Sequence, residues 1–292
     1  MMEYALQLKN INKTFKDFEL TNICLNIPQG YVVGLIGENG AGKSTLIHMI
    51  EGIKQQDSGE ILIFNQDIRK YEKVLKQDMG VIFDGCHYQP DFKCGDVAKM
   101  MSLVYENWDN QLFNQYIERF QLPKNKKVSE YSKGMKMKLA FVTELSHQPR
   151  LLILDEATSG LDPVVRDEIL DILREFVVDE EHTVLMSSHI TSDLDKLADY
   201  IVFLHEGRII MNCTYEDLHE KYGIVHCGKN VFEAMNEDDV IAYKKDDYEY
   251  RVLVKNYHHF MNIEDIVVEK ATVEDVMVLC VRGEKIHESV DL

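Results

Sequence analysis

The segment Gly37-Glu38-Asn39-Gly40-Ala41-Gly42-Lys43-Ser44 fits the pattern G-x-x-x-x-G-K-[ST]. Its glycines let the backbone curl so that successive N–H groups face inward as an anion nest, reinforced by the positive end of a following helix. Lys43 is expected to reach the β- and γ-phosphates of a ligand, and the Ser44 hydroxyl to hold Mg²⁺. A nucleoside triphosphate is the expected ligand. Far along the chain, Leu151-Leu152-Ile153-Leu154-Asp155-Glu156 is an apolar run that delivers two acids at its end. Asp155 suits the Mg²⁺ shell, directly or through water, because a hard cation prefers oxygen ligands. Glu156, one residue on, is placed to orient or deprotonate an attacking water. A glycine-rich turn or a solvated acidic strand end would each be ordinary alone, and each reading weakens when both occur in one chain; the loop by itself does not separate transporters from kinases, GTPases or recombinases.

Such residues work only if particular elements carry them. Residues 31–36 read as a buried strand that runs straight into the glycine-rich loop, and residues 43–51 as an amphipathic helix ending at Gly52. Residues 151–154, 183–186 and 200–204 read as further strands, with a helix over 164–176 between the first two. Strands alternating with helices imply a central parallel sheet, whose ligand crevice lies at the strand ends where Asp155 and Glu156 emerge. The first 65 residues alternate short apolar runs with turn signals, as an antiparallel sheet does. Residues 84–147 read as a helical insertion, with helices over 97–107 and 110–120.

The whole chain has 292 residues, 45% hydrophobic and 28% charged, which excludes wholesale disorder, collagen and a disulfide scaffold. Two structural units are expected: a nucleotide-binding unit over 1–213 and an accessory segment over 214–292. The accessory segment carries 18 acidic against 9 basic residues, half of the formal net charge of -18. That charge makes nucleic acid a disfavoured partner. No apolar run approaches the 18 or so residues of a membrane span, and the opening lacks the pattern of a signal peptide, so a cytosolic location is expected. The six cysteines are scattered without C-x-x-C pairs and read as buried, reduced thiols.

Between and after the two motifs lie Tyr131-Ser132-Lys133-Gly134-Met135-Lys136, Ser159-Gly160-Leu161-Asp162 and Ser187-Ser188-His189. Over residues 3–215 this ordered set resembles the nucleotide-binding subunits of ATP-binding-cassette transporters. Lys133 to Leu139, the Trp108-Asp109 pair and Ala271 to Met277 are similar to the YtrB group and its relatives that export bacitracin-type antibiotics or phenol-soluble modulins. The resemblance implies an α/β P-loop NTPase fold of the cassette type, with ATP and Mg²⁺ as its ligands. It places Gly37 to Thr45 on the Walker A loop, Asp155 on the Walker B aspartate, Glu156 on the catalytic base and His189 on the switch histidine. Ser132-Lys133-Gly134 falls on the signature motif, which in that family closes over the nucleotide of a second subunit. Phe15 falls on an aromatic that stacks on adenine, although Phe18 lies close by.

The resemblance also implies partners: a separate integral membrane permease, a second nucleotide-binding subunit that is most simply an identical copy, and a station at the inner face of the cell membrane. Three positions depart from the family's pattern. In the signature Lys133 replaces the first glycine and Tyr131 the usual leucine, and Asp84 stands where a Q-loop glutamine is usual, with Gln89 five residues on. Asp84 still offers an oxygen to Mg²⁺. A soluble cassette ATPase acting on ribosomes or DNA, or a nucleotide sensor with little turnover, are the competing readings. The acidic composition and the lack of a second cassette speak against the first. Retention of Glu156 and His189 speaks against the second.

Overall fold

Each of the five residues Val32–Ile36 is buried, the pattern of a strand covered on both faces. The computed structural model describes residues 3–85, 88–246, 249–261, 263 and 266–285. The chain opens with β1 (Tyr4–Thr14), β2 (Glu19–Pro28), β3 (Val32–Ile36), α1 (Lys43–Ile50), β4 (Ser58–Ile63), β5 (Gln66–Asp67), α2 (Ile68–Leu75) and β6 (Met79–Phe83). Helices α3 (Cys94–Met101), α4 (Asn110–Arg119) and α5 (Lys133–Leu145) form the insertion. Then follow β7 (Leu151–Asp155), α6 (Pro163–Phe176), β8 (Thr183–Ser187), α7 (Thr191–Leu197), β9 (Tyr200–His205) and β10 (Arg208–Thr214). The last part comprises α8 (Tyr215–Lys221), β11 (Tyr222–Cys227), α9 (Lys229–Glu233), β12 (Val240–Lys245), β13 (Tyr250–Lys255), β14 (Val267–Lys270), α10 (Val273–Arg282) and β15 (Glu284–Lys285).

Three sheets result. The central one has the order β10-β9-β3-β8-β7-β6, parallel throughout except for the antiparallel edge strand β10. The order β2-β1-β4-β5 forms the antiparallel sheet expected near the start, and β14-β11-β13-β12-β15 forms a second one near the end. Because successive strand residues face opposite sides, β3 feeds two cores. Val33 and Leu35 pack with α1 and the first antiparallel sheet, whereas Val32 and Ile36 pack with the helical side of the molecule.

Asp162 caps α6 through Val164 and Val165, with Pro163 at its first position, which explains how cleanly that helix is read from sequence. The first helix of the insertion lies earlier than its periodicity suggests. It starts at Cys94, where Asp96 accepts from the Lys93 amide at 2.9 Å, and stops at Met101. Residues 102–107 are instead tied by Gln77, which donates to the Val104 carbonyl at 3.1 Å and accepts from the Glu106 amide at 2.9 Å. Helix α2, begun by Asp67, had no clear signal of its own. Cysteines 94, 227 and 280 are buried, but Cys24 is exposed and Cys213 half-buried, so the expectation of uniformly buried thiols fails for those two. Cys86 lies outside the described residues.

The acidic segment is folded onto the rest. Tyr222, Ile224, Leu253, Val276 and Leu279 belong to the same buried cluster as Leu170 and Leu194, and α10 packs on α7. Among the described residues no helix is long and apolar enough to cross a membrane.

Candidate active site

Strand β3 ends at the glycine-rich loop, and α1 begins without a side-chain cap or an acid in its first turn. Its leading N–H groups are thereby left to an external acceptor. Gly42 has φ +110°, and a Cβ there would stand 2.7 Å from Phe18 Cζ and 2.8 Å from Leu20 Cδ2. Both the left-handed backbone and the close approach demand glycine. Lys43 is buried, and its ammonium donates to the Gly37 carbonyl at 2.7 Å and the Glu38 carbonyl at 3.1 Å. Burial pushes that ammonium below its ordinary value, with Glu156, Asp155 and Glu38 acting in the opposite sense.

Strands β7 and β8 are in register at Asp155 and Ser187, and the Ser187 hydroxyl donates to Asp155 Oδ1 at 2.6 Å. Glu156 follows with φ +54°, a left-handed conformation that costs energy in any residue with a Cβ. Its amide lies 3.2 Å from both the Ser187 hydroxyl and the Ser187 carbonyl, which hold the kink. The kink turns the Glu156 carboxylate toward Lys43 Nζ, 3.8 Å away, and onto His189 Nδ1. The partner of this imidazole is therefore a carboxylate. A ring that donates from Nδ1 to Glu156 can also donate from Nε2 only as an imidazolium.

Lys43, Ser44, Thr45, Asp84, Glu156 and His189 line one cavity of about 390 Å³, together with Asn39, Gly40 and Gly42. They come from the start of α1 and from just beyond β6, β7 and β8, so the parallel sheet gathers residues far apart in sequence. Asp155 is buried beside this cavity. Phe18 and Ser159 also line it, though neither was singled out for the site from sequence. Phe15 instead lines the neighbouring cavity with Glu38, Asn39, Gly40 and Ala41.

The signature residues lie just outside. Ser132 caps α5 by accepting from the Met135 amide at 3.2 Å, as its residue type predicts. Gly134 faces Val165, where a Cβ would come within 3.3 Å. Lys133 Nζ reaches back to Asp84 Oδ1 at 2.9 Å and passes over Gly160, where a Cβ would lie 3.0 Å from the ammonium. Helix α5 is buried more widely than a single stripe, from Met137 to Leu145 apart from half-buried Lys138, while Met135 is only half-buried. Ser187, quoted in the sequence only as a neighbour of His189, has no expected role there, yet it holds Asp155 and the Glu156 kink. The only signal for its role is strand register, which appears once β7 and β8 are paired.

A family model described as ABC transporter matches residues 20–159. The lantibiotic transport ATP-binding protein SrtF of Streptococcus pyogenes is 35% identical over 217 residues, covering 72% of this chain and 91% of SrtF. The ABC transporter ATP-binding protein YtrB of Bacillus subtilis is 28% identical over 218 residues, covering 74% of each chain. The bacitracin transport ATP-binding protein BcrA of Enterococcus faecalis is 29% identical over 224 residues, covering 76% of this chain and 73% of BcrA. Among solved structures, cbiO1 of Clostridium perfringens, part of the transporter complex cbiONQ, superimposes with a TM-score of 0.62 at 29% identity, over 73% of this chain and 89% of cbiO1. With the phosphate loop, the kinked Glu156 and His189 meeting in one cavity, these likenesses establish that the chain belongs to the ABC transporter family, as one of its ATP-binding, ATP-hydrolysing subunits.

Proposed function

We propose that this subunit powers a separate integral membrane permease that exports peptide or antibiotic-like amphipathic molecules. The names of SrtF and BcrA, lantibiotic and bacitracin transport proteins, support the cargo class. The net charge of -18 supports a partner other than nucleic acid. We place the subunit at the inner face of the membrane, paired with an identical copy. Residues 1–213 form the motor unit, with its helical part over 84–147, and residues 214–292 form an acidic cap seated on α7.

One observation carries the chemistry: Lys43, Glu156 and His189 converge on a single cavity although they lie 113 and 33 residues apart. Gly37, Glu38, Asn39, Gly40, Ala41, Gly42 and Thr45 wrap the phosphates with backbone N–H groups and helix end. Lys43 neutralises the β- and γ-phosphates, exchanging its carbonyl partners for phosphate oxygens. Glu156 aims the attacking water, and His189, held by Glu156, senses the γ-phosphate. Phe15 lies where a base can stack beyond the loop. Ser132, Lys133 and Gly134 meet the nucleotide of the partner subunit.

The donors present suit Mg²⁺, since the Ser44 hydroxyl and the carboxylates of Asp155 and Asp84 supply hard oxygens. When bound, the ion would neutralise charge on the phosphates. Asp84 Oδ1 is paired with Lys133 Nζ at 2.9 Å.

The test is ATP hydrolysis by the purified chain, followed by ATP-dependent transport in vesicles holding the membrane protein that co-purifies with it. Hydrolysis without transport of any amphipathic peptide would remove the export reading and leave the ATPase standing.

A further inference from the structure

Helices α3 and α4 both pack on α5, and between them lies a further cavity, of about 490 Å³. None of its lining residues is shared with the nucleotide cavity. Its floor is apolar, formed by the buried side chains of Cys94, Ala98, Phe113 and Ile117. Gly95 opens one wall: a Cβ there would meet nothing within 4 Å, so neither a left-handed backbone nor crowding demands glycine at this place. The mouth is polar, with the exposed residues Lys99, Ser102, Asn110, Asn114 and Lys124 around it.

In a chain of net charge -18, this cavity has two lysines and no carboxylate among its lining residues. Lys124 is paired with the exposed Glu118 at 3.2 Å, whereas Lys99 meets no carboxylate among the described residues. The Asn110 side-chain oxygen accepts from the Trp108 indole at 3.0 Å, so its amide nitrogen is the group left to donate. Two ammonium groups and an amide above an apolar floor suit an oxygen acid with an apolar body. Glu118 offsets part of the positive charge, which favours a ligand with one negative charge over the double charge of a phosphate.

We infer that this cavity binds an amphipathic monocarboxylate the size of octanoate, its head at Lys99, Lys124 and Asn110, and that its occupancy adjusts the signature end of α5. The link is a short chain of hydrogen bonds. Tyr131 Oη lies 3.0 Å from Cys94 Sγ and donates to the Pro123 carbonyl at 2.8 Å. With its own proton so used, the tyrosine accepts from the thiol, which burial keeps protonated by pushing it above its ordinary value. A ligand body on Cys94, or a carboxylate drawing on Lys124 beside Pro123, therefore acts on a contact of the Tyr131 hydroxyl. Tyr131 directly precedes Ser132, the cap of α5, and Lys133. The leucine usual at this position has no hydroxyl and would not carry the signal. The effect on turnover rests on the ATPase reading above; the binding does not.

The test titrates the purified intact chain by calorimetry with octanoate, octanamide and acetate. Octanoate is expected to bind about tenfold tighter than octanamide, which lacks the charge, and than acetate, which lacks the body. Lys99→Met should reduce octanoate to the level of octanamide, and Gly95→Leu, which fills the cavity, should abolish binding. Because Lys99 is exposed, Lys99→Met keeps the site falsifiable if Gly95→Leu does not fold. Tyr131→Phe, which loses only the hydroxyl, should bind octanoate as the wild type does. Saturating octanoate should change ATP turnover of the wild type several-fold and leave that of Tyr131→Phe insensitive. Absence of binding, equal binding of octanoate and octanamide, or octanoate binding that survives both Lys99→Met and Gly95→Leu overturns the site. Binding without a change in turnover, or an equal change in Tyr131→Phe, overturns its link to the signature. No hydrolysis by the wild type, with or without octanoate, defeats the ATPase reading, and calorimetry then still decides the site.

Discussion

Lys133 Nζ lies 2.9 Å from Asp84 Oδ1, and this ion pair joins, inside one subunit, two of the positions at which the chain departs from its family's pattern. Each residue has work elsewhere: Asp84 lines the nucleotide cavity, and Lys133 heads the helix proposed to meet the partner's nucleotide. The substitutions are therefore matched to each other. Both side chains are half exposed, so the pair adds at most about 1 kcal/mol to stability. Lys133→Gly is expected to change ATP turnover several-fold while moving the melting temperature little. A large loss of melting temperature with unchanged turnover would assign Lys133 to packing alone.

Glu156→Gln keeps the size of the side chain and its kinked backbone but removes the charge that faces Lys43 and His189. Nucleotide binding should persist while turnover falls by ~10²-fold or more, and an ATP-bound dimer should accumulate on size-exclusion chromatography. Unchanged hydrolysis would take Glu156 out of the chemistry.

Lys43→Ala removes the charge-assisted contact to the phosphates and leaves the Gly37 and Glu38 carbonyls without that donor. A loss of roughly 1.5–3 kcal/mol in ATP affinity is expected, a factor of about ten to a hundred by calorimetry. Wild-type affinity in this variant would contradict the phosphate-loop assignment.

Phe15 is 38% exposed, with Lys13 and Lys54 ammonium groups 5.8 and 5.6 Å from its ring centroid. Stacking of a base on this ring predicts that Phe15→Ala weakens ATP by about 1–3 kcal/mol, and GTP by a similar amount, because every base has a π face. Phe18 touches Gly42 and stacks with Phe15 at 6.2 Å, so Phe18→Ala should loosen the phosphate loop and lower the melting temperature as well.

Burial pushes the Glu51 carboxyl from an ordinary 4.5 up to about 7, with Asp155 adding to the rise and Lys76 opposing it. Between those values the folded chain holds a proton that the unfolded chain has released, so this group makes stability fall as pH rises through the window. Glu51→Gln removes the effect. Its stability relative to wild type should rise by on the order of 3 kcal/mol between about pH 4 and pH 8, read from urea titrations. A constant difference across that range would show that Glu51 ionises in the folded state as it does in solvent.

Local chemistry made part of the molecule legible in the sequence. The phosphate loop is a run of neighbours whose function is carried by their own backbone, so Gly37 to Ser44 announce the site without help from the fold. Helix α6 begins where Asp162 and Pro163 say it must, and the apolar run of β7 carries Asp155 to a strand end by its own continuity. What required the tertiary structure is everything set by register and approach. Ser187 meets Asp155 only because β8 pairs with β7 in one alignment, and the left-handed turn at Glu156 depends on that pairing. The bond from His189 to Glu156, the reach of Lys133 to Asp84, and the closure of apolar walls around Glu51 all join segments far apart in the chain. Pattern reports what a residue does to its neighbours within a turn or two; which distant groups share a dielectric and a hydrogen bond is decided by packing.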